Sequence, residues 1–455
     1  MAFIRAGRSS ASVAAAPSPP PGDPIPADAV WIAPGGNDST GAGTYANPYA
    51  TFAKAFTVVA SGGTIAAKNG TYTVPCGVTG TQPPNGTAGN LTRIRCETEG
   101  SVTINMSATD YCAHLTGSYV SFEGFRCING SEFCGSFDGS NLQIKRCFFG
   151  NSDNTNFALH YSLTGTNNLV EDCWSCGRGR GTIIYGTGHV IRRVVTRLDY
   201  YSGDQGYMAF TNYDANNVIW ENCIAIDVAT AATAFDWKGG FRTRDIFEER
   251  THSIYGCIAL NTRYDGFRVV GTNMKDCVAW AINGRGGIYE DQIYTARTIA
   301  NCTVGSTTNG GITLQGSNLN SSLHVSVSGG NSTGDYCHYW NTTSPGGTNV
   351  ITTNPNQLYI TRVEDGTPGD GTGLSGVDRG ATVLKRYESG TLTSTNLWPW
   401  PNEDRIKSDF LTDFSLPGVT VARGFCTGTS IDGNSQTLTK YIWEYLGNQI
   451  PAGIY

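Results

Sequence analysis

An all-β solenoid, in which short strands wind into coils that stack one on the next, is the fold class that the sequence predicts. Three observations predict it. A six-residue segment centred on cysteine recurs at intervals of 20 to 34 residues along the middle of the chain. Between these segments lie runs of four to six β-branched and aromatic residues punctuated by Gly, Asn and Asp, with almost no helical periodicity. Composition fits a thin core repeated many times: 455 residues with 58 Gly, 4 Met, 39% hydrophobic and 15% charged residues. A period in this range marks units that bury their apolar face only by stacking on a neighbour.

The repeat reads IKRCFF at 144–149, VEDCWS at 170–175, IRRVVT at 191–196, WENCIA at 220–225, IYGCIA at 254–259, MKDCVA at 274–279 and IANCTV at 299–304. With Cys127 as an earlier member, the cysteine slots fall at 127, 147, 173, 194, 223, 257, 277 and 302, Val194 replacing cysteine once. An apolar residue stands three positions before each slot from 147 on, and another usually follows it.

This pattern resembles the right-handed parallel β-helix proteins of the pectate-lyase-like superfamily, which include phage tailspikes. The resemblance covers roughly residues 30–360 and rests on the shape of the repeat. It implies ladders of like side chains inside the coil: Ile144, Val170, Trp220, Ile254, Met274 and Ile299 in one, Cys147, Cys173, Cys223, Cys257, Cys277 and Cys302 in the next. Residues three apart on a straight strand face opposite sides, so both ladders point inward only if the chain bends between them. Polar pairs such as Glu221-Asn222 are the expected corners, because Asn tolerates the left-handed conformation. The cysteines then act as small buried hydrophobes with free thiols. Cys173-Trp174-Ser175-Cys176 has CxxC spacing, but no second pair or nearby His completes a zinc site.

The row after the slot, Phe148, Trp174, Val195, Ile224, Ile258 and Val278, must then face outward. Such a stripe calls for a cover, either a second subunit or a returning segment of the same chain. The alternative is an inward assignment shifted by one residue.

The ends divide from the coil. Residues 1–29 form an Ala/Pro/Ser-rich arm, and 30–75 an N-terminal cap and first coil. In the cap, Asn47-Pro48 can start a helix with Phe52, Phe56 and Val59 on one face, and Gly62-Gly63 end it. The β-helix proper takes 76–355. The last part, 356–455, is a small α/β or irregular capping segment rich in Gly, Trp and Pro, with a terminal helix expected over 435–446. Its Trp398-Pro399-Trp400-Pro401 run is the best internal candidate to cover the stripe.

Charge excludes one partner class. A net charge of -6 without a clustered basic surface argues against nucleic acid. No run of eighteen apolar residues predicts a membrane span. The N-terminus lacks the apolar stretch of a secretory signal, which places the 14 cysteines in a reducing cytoplasm.

No short motif names a mechanism. The two longest intervals between slots, 194–223 and 223–257, read as projecting loops, and the coils that follow them carry aromatic and charged residues that would line one groove suited to a sugar chain. Tyr200, Tyr201, Tyr207, Trp237, Tyr264 and Tyr289 are the candidates to stack on sugar faces. Asp236, Asp265 and Asp291 fit glycoside hydrolysis, which needs two flanking carboxylates. Lys238, Arg242 and Arg268 fit elimination from a uronic acid, which needs a cation against the carboxylate and a base for the adjacent proton. No metal site is expected and no cofactor is implied, with calcium left open. The leading expectation is a phage structural protein, a tailspike, fibre or collar protein assembled in the host cytoplasm as a homotrimer, docking other virion proteins through its arm and binding a surface polysaccharide. A polysaccharide lyase or glycoside hydrolase is the alternative, and a secreted surface adhesin the second.

Overall fold

The computed structural model describes residues 24–78, 80–152, 159–199, 208–227, 239–244, 250–292, 297–416 and 418–454. Its body is a parallel β-helix of three sheets. Sheet A holds twelve strands from Val30–Ile32 to Asn318–Asn320, sheet B twelve from Gly70–Tyr72 to His338–Trp340, and sheet C nine from Ala113–Leu115 to Ile312–Thr313. Every pairing between neighbouring strands of these sheets is parallel, so each coil lays one strand on each sheet in turn.

The repeat explains the corner between sheets A and B. In sheet A the apolar position pairs in register from coil to coil, as Ile144, Val170, Ile191, Trp220, Ile254, Met274 and Ile299. Two residues later the backbone turns left-handed at Arg146, Asp172, Arg193, Asn222, Gly256, Asp276 and Asn301, with φ between 49° and 60°. Asn, Asp and Gly, for which a left-handed φ is least costly, take five of these seven corners. That bend turns the next side chain inward. Cys147, Cys173, Cys223, Cys257, Cys277 and Cys302 are all at most 1% exposed and belong to the central core.

All 14 cysteines are free and buried. Burial pushes the thiols of Cys173, Cys257 and Cys277 well up, with a hydrogen bond from the adjacent cysteine of the ladder adding to the shift. The nucleophile in disulfide exchange is the thiolate, so the ladder should be inert while the coil is closed. At neutral pH the native protein is expected not to react with a disulfide reagent, and all 14 thiols to titrate once denaturant unfolds it. Fast labelling of the native chain would show that the coils open.

The residue after each slot faces outward, as the sequence requires. Phe148, Trp174, Val195, Ile224, Ile258 and Val278 pair in register on sheet B. They form a second core with Trp398, Trp400, Phe410, Phe425 and Trp443 of the C-terminal segment. The cover is therefore the chain itself, and the flank argument for self-association lapses. Helices Glu403–Phe410 and Leu438–Trp443 carry part of this cover. The second is shorter at both ends than the predicted 435–446 helix: Thr437 caps it by accepting a hydrogen bond from Lys440 N–H, and a turn over 444–446 follows it. At the other end of the coil, Phe52–Phe56 is the capping helix. Its cap is Thr51 rather than Asn47, because Thr51 Oγ1 accepts from Lys54 N–H. Phe52, Phe56 and Val59 are buried as expected.

An antiparallel hairpin, Lys385–Glu388 with Thr391–Asn396, clips the cover to sheet A. Tyr387 N–H donates to Asn222 Oδ1 at 2.7 Å, its ring stacks on Tyr255 at 5.2 Å, and its hydroxyl donates to Asp276. Burial pushes the Asp276 carboxyl up from 3.8 to about 6, against the Tyr387 hydrogen bond and Lys275, which lower it. A folded value above the unfolded one means that the native state holds the extra proton. The stability this group contributes is full below about pH 4 and lost as pH rises through about 6. Across that window Asp276→Asn should change the wild-type-minus-variant stability by on the order of 2–3 kcal/mol, read by urea unfolding at both ends. A gap independent of pH would show that Asp276 ionises normally.

Candidate functional site

Sheet C carries the chemistry. Phe210, Phe241, Phe267 and Ile288 pair in register and point into the core, the three phenyl rings stacking at 4.6 and 4.7 Å. Strand alternation then turns the next residue of each strand outward. That row is Thr211, Arg242, Arg268, Tyr289 and Thr313, again in register. Two guanidinium groups thus sit on adjacent rungs.

Both arginines are enclosed, at 6% exposure each. Arg268 is paired: its Nη2 lies 2.7 Å from Asp291 Oδ2 and its Nε 3.0 Å from the same oxygen. Arg242 stands in a different balance. Burial, then Arg268 and Arg244, push its guanidinium down to about 9, with Asp291 and Asp265 opposing. A guanidinium is ordinarily protonated at any working pH, and burial beside two like charges lowers the cost of neutralising this one.

Aromatics flank the arginines on both sides. Toward the N-terminal coils, Arg244 lies 4.5 Å over the Tyr213 ring, which meets Tyr185 edge-on at 5.7 Å. Toward the C-terminal coils, Arg285 lies 4.5 Å over Tyr289 and 5.7 Å from Tyr264. Such rings offer apolar faces and polar edges to a sugar chain.

Arg242, Arg268, Asp291, Tyr264 and Tyr289 come together on or beside this row. Asp265 starts the Asp265–Val270 strand and is wholly buried. Tyr200, Tyr201, Tyr207, Asp236, Trp237 and Lys238 lie outside the described residues. One expectation is corrected: the segments around Arg242, Arg268 and Tyr289 are not projecting loops but the strands Gly239–Arg244, Asp265–Val270 and Gly286–Gln292. Their glycines and charges mask the strand signal, because the inward positions opposite small core residues hold Gly240, Gly266 and Gly287. Tyr185 and Tyr213 were not singled out from the sequence. Alternation from the inward Phe210, through Thr211 to Tyr213, was the signal that finds the second. Among the described residues no three His, Cys, Asp or Glu side chains converge as a metal site.

A family model for the Pel9A-like right-handed β-helix region matches residues 30–324. The chain belongs to that family. The match spans the whole run of cysteine slots and the arginine row, and ends before the last strand of sheet B, His338–Trp340. Among solved structures, pectate lyase Pel9A is similar over 77% of this chain and 96% of its own, at 16% identity and a TM-score of 0.50. A rhamnogalacturonan lyase aligns over 84% of this chain and 98% of its own, with 16% identity and a TM-score of 0.37. The PL6 family alginate lyase AlyGC aligns over 67% and 52%, with 10% identity and a TM-score of 0.43. No curated protein sequence matches. At these identities the Pel9A likeness speaks for the fold alone.

Proposed function

We propose that the chain is a polysaccharide lyase that cleaves an acidic glycan by β-elimination. The in-register pair Arg242–Arg268, with one guanidinium pushed down to about 9, carries this reading. Elimination has two requirements, a positive charge against the uronate carboxylate and a base for the proton on the adjacent carbon. Arg268, positioned by Asp291, supplies the charge. Arg242 in its neutral form takes the proton; the electron pair left behind forms the new double bond, and the glycosidic oxygen departs with the other sugar fragment, taking up a proton from solvent water. The tyrosines on either side hold the chain across the row. Hydrolysis is less well served, since Asp291 is committed to Arg268 and Asp265 is buried at the start of its strand.

Family membership and the lyases among the similar solved structures support the same reading. The virion and adhesin readings draw no comparable support, and the apolar row that suggested a trimer is occupied by the C-terminal segment. The test is to incubate the full chain with polygalacturonate, alginate and rhamnogalacturonan, with calcium and with chelator, and follow the ultraviolet absorbance of unsaturated ends. New reducing ends without unsaturation would identify a hydrolase and overturn the proposal.

A further inference from the structure

We infer that the same face carries a second, non-cleaving subsite at its N-terminal end, built from Tyr111, His114, Phe133 and Asp138 and suited to a neutral sugar. The inference rests on the lyase reading for its direction along the coil, and on its own geometry for its chemistry.

The outward row of sheet C continues from Arg242 through Thr211, Ile183, Ser162 and Ser136 to His114. Five strand steps at about 4.8 Å put His114 roughly 24 Å from Arg242, the reach of several sugar units. Beside that row, one residue beyond the paired Phe137, Leu163, Ile184 and Asn212, run Asp138, Thr164, Tyr185 and Tyr213, ending at Arg244. These five are half-exposed, a polar and aromatic track that joins the two ends.

At the far end the Tyr111 ring meets His114 edge-on at 5.4 Å and Phe133 at 5.3 Å. His114 Nε2 lies 2.9 Å from Asp138 Oδ2, and the Ser136 hydroxyl reaches both Asp138 oxygens at 3.2 and 3.3 Å. The cluster is half-exposed at its rings and fixed at its polar edge, as a sugar-stacking platform requires. Its charge is opposite to that of the arginine end. Carboxylates surround the Tyr111 ring: its hydroxyl donates to Glu132 Oε2 at 3.4 Å, its backbone N–H donates to Asp110 Oδ1 at 2.7 Å, and Asp138 stands behind His114. A uronate would be repelled there, whereas a neutral sugar finds a ring face and hydrogen-bond acceptors. A face basic at one end and acidic at the other selects a polymer in which neutral sugars accompany acidic ones.

The experiment is affinity electrophoresis of the full chain in gels containing rhamnogalacturonan, where acidic and neutral sugars alternate, or polygalacturonate, where every sugar is acidic. The expected result is that Tyr111→Ala with Phe133→Ala weakens binding to rhamnogalacturonan about tenfold and leaves polygalacturonate unchanged. Glu132→Lys, at an exposed position that does not threaten folding, should strengthen binding to polygalacturonate. The subsite is overturned if rhamnogalacturonan does not retard the wild type, or if both variants migrate as the wild type on both polymers. Failure of the lyase reading looks different: the retardation pattern holds, but the wild type releases no unsaturated product from either polymer.

Discussion

Arg242→Ala should lower kcat on the acidic glycan that the wild type cleaves by about 100-fold or more, the usual worth of a positioned acid–base group. Its KM should change little, because the proton is taken only in the transition state. Arg268→Ala should lower kcat and also raise KM, since a charge facing the uronate acts in the ground state too. The two variants thus separate the roles by pattern as well as by size. The pH profile gives a further check. The neutral form of Arg242 is the active base, so kcat should climb with pH toward a limb near 9. Arg242→Lys offers a base whose ordinary value lies roughly two units or more below that of arginine, and the same burial and neighbours act on it. Residual activity with the limb shifted to lower pH is the expected outcome. If instead Arg242→Lys keeps the wild-type limb, the base is another group, and residues 228–238, which include Lys238, become the place to look.

The distance between what the sequence disclosed and what it hid follows from how each sheet is patterned. The corner between sheets A and B is written in six consecutive residues: an apolar residue, a left-handed corner, a cysteine turned in and an apolar residue turned out. That local code is why the ladders, the left-handed Asn222 and the outward stripe were all legible. The covering role of the Trp398–Trp400 region was legible for a related reason, since an apolar row on a flank must be met by something apolar. Sheet C has no such code. Its strands vary in length, open on glycine at Gly239 and Gly286, and show arginine and tyrosine where a strand on a free surface would show threonine or valine. The arginines were therefore recognised as chemistry but placed on loops. Their register, which puts Arg242 over Arg268, depends on the vertical stacking of coils of unequal length and is not contained in any short window. Nor is the downward push on the Arg242 guanidinium, which arises first from burial and then from Arg268 and Arg244, 26 residues and two residues away along the chain.

Trp174→Ala should be the most destabilising substitution in the cover, at about 3–5 kcal/mol. Sheet B is apolar on both sides: Cys173 turns into the coil and Trp174 turns out beneath helix Glu403–Phe410. The indole is wholly buried, its Nε1–H donates to Asp409 Oδ2 at 2.8 Å, and the Arg405 guanidinium lies 4.8 Å over its ring. Asp409 also accepts from Arg126 Nε, so one carboxylate ties the helix to two coils of sheet B. Burial already pushes that carboxyl up, with Arg126 and then Trp174 among the groups that hold it down. Removing the indole opens a cavity and takes a donor from a buried charge, two costs that add. Trp174→Phe separates them, because it keeps most of the apolar volume and loses only the N–H, for an expected cost of about 1–3 kcal/mol. Urea unfolding measures both variants, and limited proteolysis reports the cover directly: cleavage after residue 356 should speed up in Trp174→Ala and change less in Trp174→Phe. The coil beneath should stay closed, its cysteine ladder still protected from thiol reagents, because the central core does not pass through Trp174. Equal and small effects from both variants would mean that the helix rests on the sheet without drawing stability from it, and the apolar stripe would again need another partner.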